Sequence, residues 1–177
     1  MDLMGSFSSK KVNTFNFFYV NGVIGDNELL FLFDTGAACP VVGVNSFFDP
    51  DDEEVGRTAL EAILKEEIIK RNVKPRPVPL KAANSQEVTT FPCICHGVSI
   101  GNSPKRDFYF DISFEDISIP LLGSSFIDDC AYSHAINGNI NITSIKENAG
   151  SSYYRGYNVL DFDIVSEVFA RKYDEGV

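Results

Sequence analysis

The sequence predicts a mainly β fold with one inserted helix, and three observations support this prediction. The chain has 15 Phe and 7 Tyr but no Trp, a composition that favours an aromatic-rich β core. Short apolar runs alternate with turns that contain glycine and asparagine. One longer segment, residues 53–71, has apolar residues spaced three and four apart instead, which predicts an amphipathic helix.

Length and composition predict one globular domain. The chain has 177 residues, 44% of them hydrophobic, so a core forms without a disulfide or metal. We expect a disordered N-terminus (1–11), a domain (12–150) and a C-terminal extension (151–177) that packs on the domain or on a dimer partner. The net charge of −10 argues against nucleic acid and membrane partners.

The first unit is predicted to be a β-hairpin that ends in a carboxylate. A strand is expected from Val12 to Val20, followed by turn signals at Asn21-Gly22 and at Gly25-Asp26-Asn27. An apolar strand then delivers Asp34 into a tight turn, where Gly36 permits close approach of the backbone. An acid at the end of a buried strand is unfavourable unless it is paired or shares a proton. This placement indicates a working carboxylate.

A second apolar strand lies about ninety residues further on. Ile119-Pro120-Leu121-Leu122 precedes Gly123, and Ser124 or Ser125 is the expected N-cap of a short helix.

The two segments, in this order and spacing, resemble the retropepsin-like (retroviral-type) aspartic proteases over residues 14–145. The resemblance implies a single-lobe acid protease barrel with an inserted helix at about 53–71 and a short helix after Gly123. It implies that Asp34 is the catalytic acid. The active-site loop would be Thr35, Gly36 and Ala37, and the floor of the ψ-shaped loop would be Leu121, Leu122 and Gly123.

The same resemblance places a flap hairpin after the prolines at 75, 77 and 79, which force an extended chain. Its expected tip is Ala83, Asn84 and Ser85. Flap tips in this family usually carry glycine, whereas this chain has none between Gly56 and Gly97.

Further strands are expected at 93–100 and 107–114. Within the second, Phe108, Phe110 and Ile112 alternate with Tyr109 and Asp111, which predicts a half-buried strand with the latter pair facing away from the core. Asn137-Gly138 is typical of a two-residue hairpin turn.

The chemistry that the resemblance implies needs two carboxylates, and the chain has one Asp-Thr-Gly. We therefore expect a homodimer in which two copies of Asp34 face each other. The resemblance implies that Thr35 then braces the loop of the opposite subunit through its hydroxyl. Such a dimer would hydrolyse peptide bonds in a peptide or protein substrate. The alternative is a weakly active or inactive dimerisation or peptide-binding module, since fold does not fix function.

No cofactor or metal is predicted. Cys93 and Cys95 with His96 come nearest to a zinc cluster, but two more ligands would be needed. We expect Cys39, Cys93, Cys95 and Cys130 to be free thiols in the cytoplasm, because the N-terminus lacks a secretory pattern.

Overall fold

A computed structural model describes residues 5–7, 18–48, 54–80, 86–134 and 140–174. Among these residues strands account for 40% and helices for 29%, so the predicted mainly β fold class is confirmed. No helix in the described ranges is long and apolar enough to cross a membrane.

Within the described residues, the fold contains ten strands and three α-helices. The strands are β1 (Gly5–Phe7), β2 (Tyr19–Ile24), β3 (Asn27–Leu32), β4 (Val41–Gly43), β5 (Arg76–Leu80), β6 (Gln86–Ile100), β7 (Arg106–Ser113), β8 (Cys130–His134), β9 (Ile140–Ile145) and β10 (Leu160–Asp161). The helices are α1 (Glu54–Lys70), α2 (Ser124–Ile127) and α3 (Phe162–Phe169). Single helical turns cover Val44–Phe47, Ser151–Tyr154 and Ala170–Asp174.

The main sheet is mixed. Its strand order is β3-β2-β6-β7-β4, and β5 and β10 also pair with the long strand β6. The β4–β7 and β10–β6 pairings are parallel, and the others are antiparallel. A separate three-stranded sheet has the order β1-β9-β8, which leaves β8 at an edge.

The N-terminal segment differs from the sequence expectation at three residues. Gly5–Phe7, predicted to be disordered, pairs antiparallel with Ile140–Ile142, because the backbone groups of β9 are available on that side. The rest of 1–11, residues 12–17 of the first predicted strand, and Asn137-Gly138 lie outside the described residues.

The first hairpin forms as predicted, but one of its two expected turns is wrong. Asn21-Gly22 lies within β2, and the chain reverses at Gly25-Asp26. Gly22 serves packing instead, since a Cβ there would lie 2.7 Å from the Phe31 ring. The glycine therefore admits a core phenylalanine over the strand.

The inserted helix is confirmed as α1. Leu60, Ile63, Leu64 and Ile68 are buried on its inner face, in the main core cluster. Glu67 is buried on the same face and is paired with Arg71 at 3.2 Å, which satisfies its charge.

The C-terminal segment packs on this same core. Leu160 and Val165 are fully buried, and Phe162 stacks on Phe47 at 5.0 Å between ring centroids. Asp161 caps α3 by accepting hydrogen bonds from the N–H groups of Asp163 and Ile164.

Candidate active site

Asp34 lies in a turn directly after β3. The Phe33 N–H donates to the Phe18 carbonyl at 2.8 Å, which fixes the entrance of the turn, and the Ala37 N–H donates to the Asp34 carbonyl at 3.3 Å. The Asp34 carboxylate is partly exposed, and its Oδ1 accepts a hydrogen bond from the Gly36 N–H at 2.8 Å. The turn therefore presents the Asp34 carboxylate to solvent, and the hydrogen bond from the Gly36 N–H fixes the orientation of that carboxylate.

The segment around Leu121 runs between the two arms of this turn. Leu121 bridges Leu32 in parallel and Val41 in antiparallel fashion. The Leu122 N–H donates to the Leu32 carbonyl at 2.9 Å, and Leu121 and Val41 exchange hydrogen bonds at 2.9 and 3.0 Å. The structure thus brings together the two segments that sequence reasoning singled out, and the segment around Leu121 is hydrogen-bonded to both ends of the Asp34 turn.

Gly123 permits this close approach. Its φ of 76° and ψ of 156° belong to a region that is nearly restricted to glycine. A Cβ at this position would lie 2.2 Å from the carbonyl carbon of Cys39. No other residue fits here without moving the turn or the floor beneath it.

The start of α2 completes the enclosure of the turn. The Ser124 N–H donates to the Ala37 carbonyl at 2.7 Å, and the Ser125 N–H donates to the Ala38 carbonyl at 3.1 Å. The prediction of a serine N-cap is wrong, since Gly123 occupies that position without a side-chain cap. The first N–H groups of α2 have no partner within the helix, so they donate to carbonyls of the Asp34 turn and not to a capping hydroxyl.

A small apolar cluster supports the turn from beneath. Its buried members are Leu32, Ala37, Cys39, Val41, Val78, Val88, Ile117, Leu121 and Tyr154. Burial raises the pKa of the Cys39 thiol to about 12, so this cysteine stays neutral and serves packing. By contrast, Thr35 and Gly36 are exposed.

Aromatic rings from the edge strand β8 lie beside the turn. The rings of Phe33 and Tyr132 meet edge-on at 4.9 Å, and the rings of Phe18 and His134 are 5.2 Å apart. Tyr132 is 36% exposed. An apolar, accessible surface therefore adjoins Asp34, and sequence reasoning missed it because β8 was not predicted.

The predicted flap is described only in its two arms. Strands β5 and β6 pair from Arg76↔Thr90 to Leu80↔Gln86, with Pro77 and Pro79 on an edge strand where a missing N–H is tolerated. The predicted tip, Ala83, Asn84 and Ser85, lies outside the described residues.

A second, buried carboxylate lies behind the turn, and its position contradicts the expected half-buried strand. Asp111 has no exposed surface. Arg76 donates to both of its oxygens, at 2.8 and 2.6 Å, and the Thr90 hydroxyl donates to Oδ2 at 2.6 Å. The side chains do alternate, with Asp111 on the face of Tyr109 and away from Phe110, but this second face is covered as well. The hydrogen bonds from Arg76 and Thr90 make the burial of the charge possible, which a pattern of buried and exposed faces does not anticipate.

Arg76 is in turn covered by tyrosines. Its guanidinium carbon lies 4.6, 4.6 and 4.7 Å from the ring centroids of Tyr153, Tyr154 and Tyr157. Burial alone lowers the pKa of Arg76, but the hydrogen bonds and charge of Asp111 outweigh it and raise the pKa above its ordinary value. The arginine therefore stays charged.

The cysteine–histidine cluster considered for zinc is not formed. Cys93 and Cys95 are buried, which raises the pKa of both thiols, whereas His96 is exposed. Within the described ranges, the group with ligand atoms close enough for a cation is His96, Asp161 and Asp163, all within 4.8 Å of one another. Each already has a partner in the protein, since His96 contacts Asp107 at 2.6 Å, Asp161 caps α3 and Asp163 accepts from the His96 N–H.

Comparisons with known proteins give structural similarity but no match at the level of sequence. No family model and no curated protein matches the sequence. Among solved structures the chain is similar to a retropepsin-like aspartic protease from Rickettsia conorii, with 17% identity, a TM-score of 0.46, and coverage of 77% of this chain and 93% of that one. The mainly β, mixed sheet is compatible with a single-lobe retropepsin-like fold.

Proposed function

We propose that this chain is a retropepsin-like aspartic endopeptidase that acts as a homodimer. The observation that carries the proposal is the partly exposed Asp34 carboxylate, held at the tip of a turn whose two arms are bound by Leu121. A carboxylate that is fixed in direction yet open to solvent is suited to proton transfer.

The proposed chemistry needs a second carboxylate close to the first. Two acids that share one proton allow the ionised group to activate water while the protonated group hydrogen-bonds the substrate carbonyl. A two-fold axis near Asp34 would supply the second acid from the other copy. The exposure of Thr35 and Gly36 supports this arrangement, because both are free to face a partner.

The substrate that fits this arrangement is an extended peptide. The aromatic surface of Phe33 and Tyr132 adjoins Asp34, so apolar side chains next to the cleaved bond are favoured. Strands β5 and β6 would form the flap over such a peptide, as the sequence suggests.

The proposed compartment is the cytoplasm. The four cysteines are free thiols, which suits a reducing environment.

The alternative is a dimerising or peptide-binding module without efficient catalysis. It is supported by the absence of glycine between Gly56 and Gly97, since a flap normally needs a flexible tip. The intact Asp34-Thr35-Gly36 sequence supports the enzyme.

Cleavage of a peptide library by the wild type and by Asp34→Asn tests the proposal. Asn has the shape of Asp but can neither share the proton nor act as a base, so cleavage should be abolished. Asp26→Asn, at an exposed turn aspartate, is the matched control and should stay active. Full activity of Asp34→Asn would exclude the aspartic mechanism, and an inactive wild type that still binds peptides would favour the module.

Mixing the two proteins tests the dimer. In an equilibrated equal mixture about a quarter of the dimers retain two acids, so activity should fall to about a quarter of that of the same total amount of wild type. A monomeric enzyme would retain half. The wild-type activity should have a bell-shaped dependence on pH, because the proposed mechanism needs one proton to remain on the pair of acids.

A further inference from the structure

We propose that the C-terminal segment 153–157 is a clamp that fixes the base of the flap hairpin to the Asp34 turn, and that Tyr153 and Tyr157 are positioning residues for the site. This inference rests on the proposed function for its consequence in catalysis. The clamp itself is a structural claim that can be tested without any cleavage.

The clamp contacts the β5–β6 hairpin at its base, where Arg76 lies. This residue is the first of β5 and pairs with Thr90 of β6, so the two belong to opposite arms of the hairpin. The hydroxyl oxygen of Thr90, which donates its hydrogen to Asp111, also lies 3.1 Å from the Arg76 carbonyl oxygen. Rings from Tyr153, Tyr154 and Tyr157 cover the guanidinium within 4.7 Å, a distance at which a cation is attracted to a ring face.

The same group of residues reaches the Asp34 turn through Asp111. Besides its bonds to Arg76 and Thr90, Asp111 donates its backbone N–H to the Pro40 carbonyl at 2.8 Å, and its Oδ1 lies 3.8 Å from the Cys39 sulfur. The Tyr154 ring packs in the same apolar cluster as Ala37 and Cys39. One buried ion pair therefore joins both flap arms to the far end of the turn.

The segment is itself anchored. The Asn158 side chain donates to the Asn72 carbonyl at 3.0 Å, a few residues before β5. Gly156 has a φ of 87°, which allows the chain to turn so that Tyr157 returns to Arg76. The C-terminal segment is thus fixed in a conformation in which its tyrosine rings contact Arg76, in addition to packing on the core.

The positions of the two outer tyrosines make the clamp testable. Tyr153 is 38% exposed and Tyr157 is 49% exposed, so replacing them leaves no internal cavity. Loss of their ring faces would leave Arg76 bonded to Asp111 but covered by the Tyr154 ring alone. The flap arms and the turn should then open locally more often, while α1 remains as it was.

The experiment compares the Tyr153→Leu/Tyr157→Leu and Tyr153→Phe/Tyr157→Phe proteins with the wild type by amide hydrogen exchange. Leu keeps the apolar bulk without a ring face, whereas Phe keeps the ring and loses only the hydroxyl. We expect exchange in residues 76–80, 86–91 and 36–41 to rise about fivefold or more in the Leu variant. The Phe variant should match the wild type, and exchange in α1 should be unchanged in both.

Unchanged exchange in the Leu variant would overturn the clamp, as would a rise that includes α1 or that occurs equally in the Phe variant. Where the wild type cleaves peptides, kcat should fall in the Leu variant and recover in the Phe variant. If the wild type proves inactive, the proposed function fails, but the exchange pattern still decides whether the clamp exists.

Discussion

Asp34, in the turn that follows β3, and Asp111, within β7, each come directly after a phenylalanine, yet the fold uses them in opposite ways. Asp111 has no exposed surface, and both of its oxygens accept hydrogen bonds from Arg76. Asp34 is partly exposed and is oriented by the N–H of Gly36, two residues away. The comparison teaches that a buried carboxylate is held by side-chain partners, whereas the partly exposed Asp34 is held mainly through the backbone of its turn.

The backbone support of Asp34 comes from elsewhere in the chain. Leu121 binds both arms of the turn, and the N–H groups of Ser124 and Ser125 bind its carbonyls. The turn is therefore held mainly by backbone hydrogen bonds and not by the Asp34 side chain.

The largest expected loss of stability is that caused by replacing the buried carboxylate, Asp111. Asp111→Asn leaves the Arg76 charge without its partner in a site where the arginine side chain is 10% exposed, so it should destabilise the protein by about 3–5 kcal/mol. Asp34→Asn should change stability by less than about 0.5 kcal/mol. Urea unfolding at one fixed protein concentration measures both.

Equal stability of the two variants would break the comparison, because Asp111 would then not be a structural acid. A double variant, Arg76→Met with Asp111→Leu, adds a control. Replacing the whole buried pair by apolar groups should recover much of the loss.

The next effect concerns the support of the Asp34 turn. Gly123→Ala combines a strained backbone with a clash against Cys39, and it should destabilise the protein by about 3 kcal/mol or more. Gly25→Ala is the matched control, since its φ is also positive but nothing lies within 4 Å of the new Cβ. That change should cost about 1 kcal/mol. Similar losses in both variants, measured by urea unfolding, would mean that the floor does not hold the turn tightly.

The sequence was sufficient to single out the local segments of the candidate site. Asp34, Gly36 and the Leu121-Leu122-Gly123 segment were identified because apolar strands end in short glycine-containing turns, and the structure brings these segments together. The helix α1 was predicted because its apolar spacing extends over many residues.

The non-local part of the site was not predictable in the same way. Arg76 was treated only as part of a proline-rich extended chain, and Asp111 only as a polar position in an alternating strand. Their pairing joins two residues that are 35 positions apart in the sequence, and three tyrosines from the C-terminal segment cover it. No periodicity in a single sequence records such a contact.

The smallest effect concerns an exposed ion pair, which sharpens the contrast with the buried one. The His96 ring contacts Asp107 at 2.6 Å and is 51% exposed. The hydrogen bond to Asp107 raises the pKa of His96, with the nearby Asp163 and Asp161 charges adding to it. Because the folded-state pKa is raised, the stabilisation is fully present below the unfolded value of about 6.5 and is lost as the pH rises through the folded value.

We therefore expect His96→Gln to lower the thermal midpoint by about 1–3 °C at pH 5.5, as for a surface pair, and to have almost no effect at pH 8.5. His134→Gln is the control, because that ring lies beside the Phe18 and Tyr132 rings and not beside carboxylates. Thermal unfolding of both variants at the two pH values measures the difference. A loss that is equal at pH 5.5 and 8.5 would assign His96 a packing role, and a loss as large as that of Asp111→Asn would remove the distinction between exposed and buried pairs on which the comparison depends.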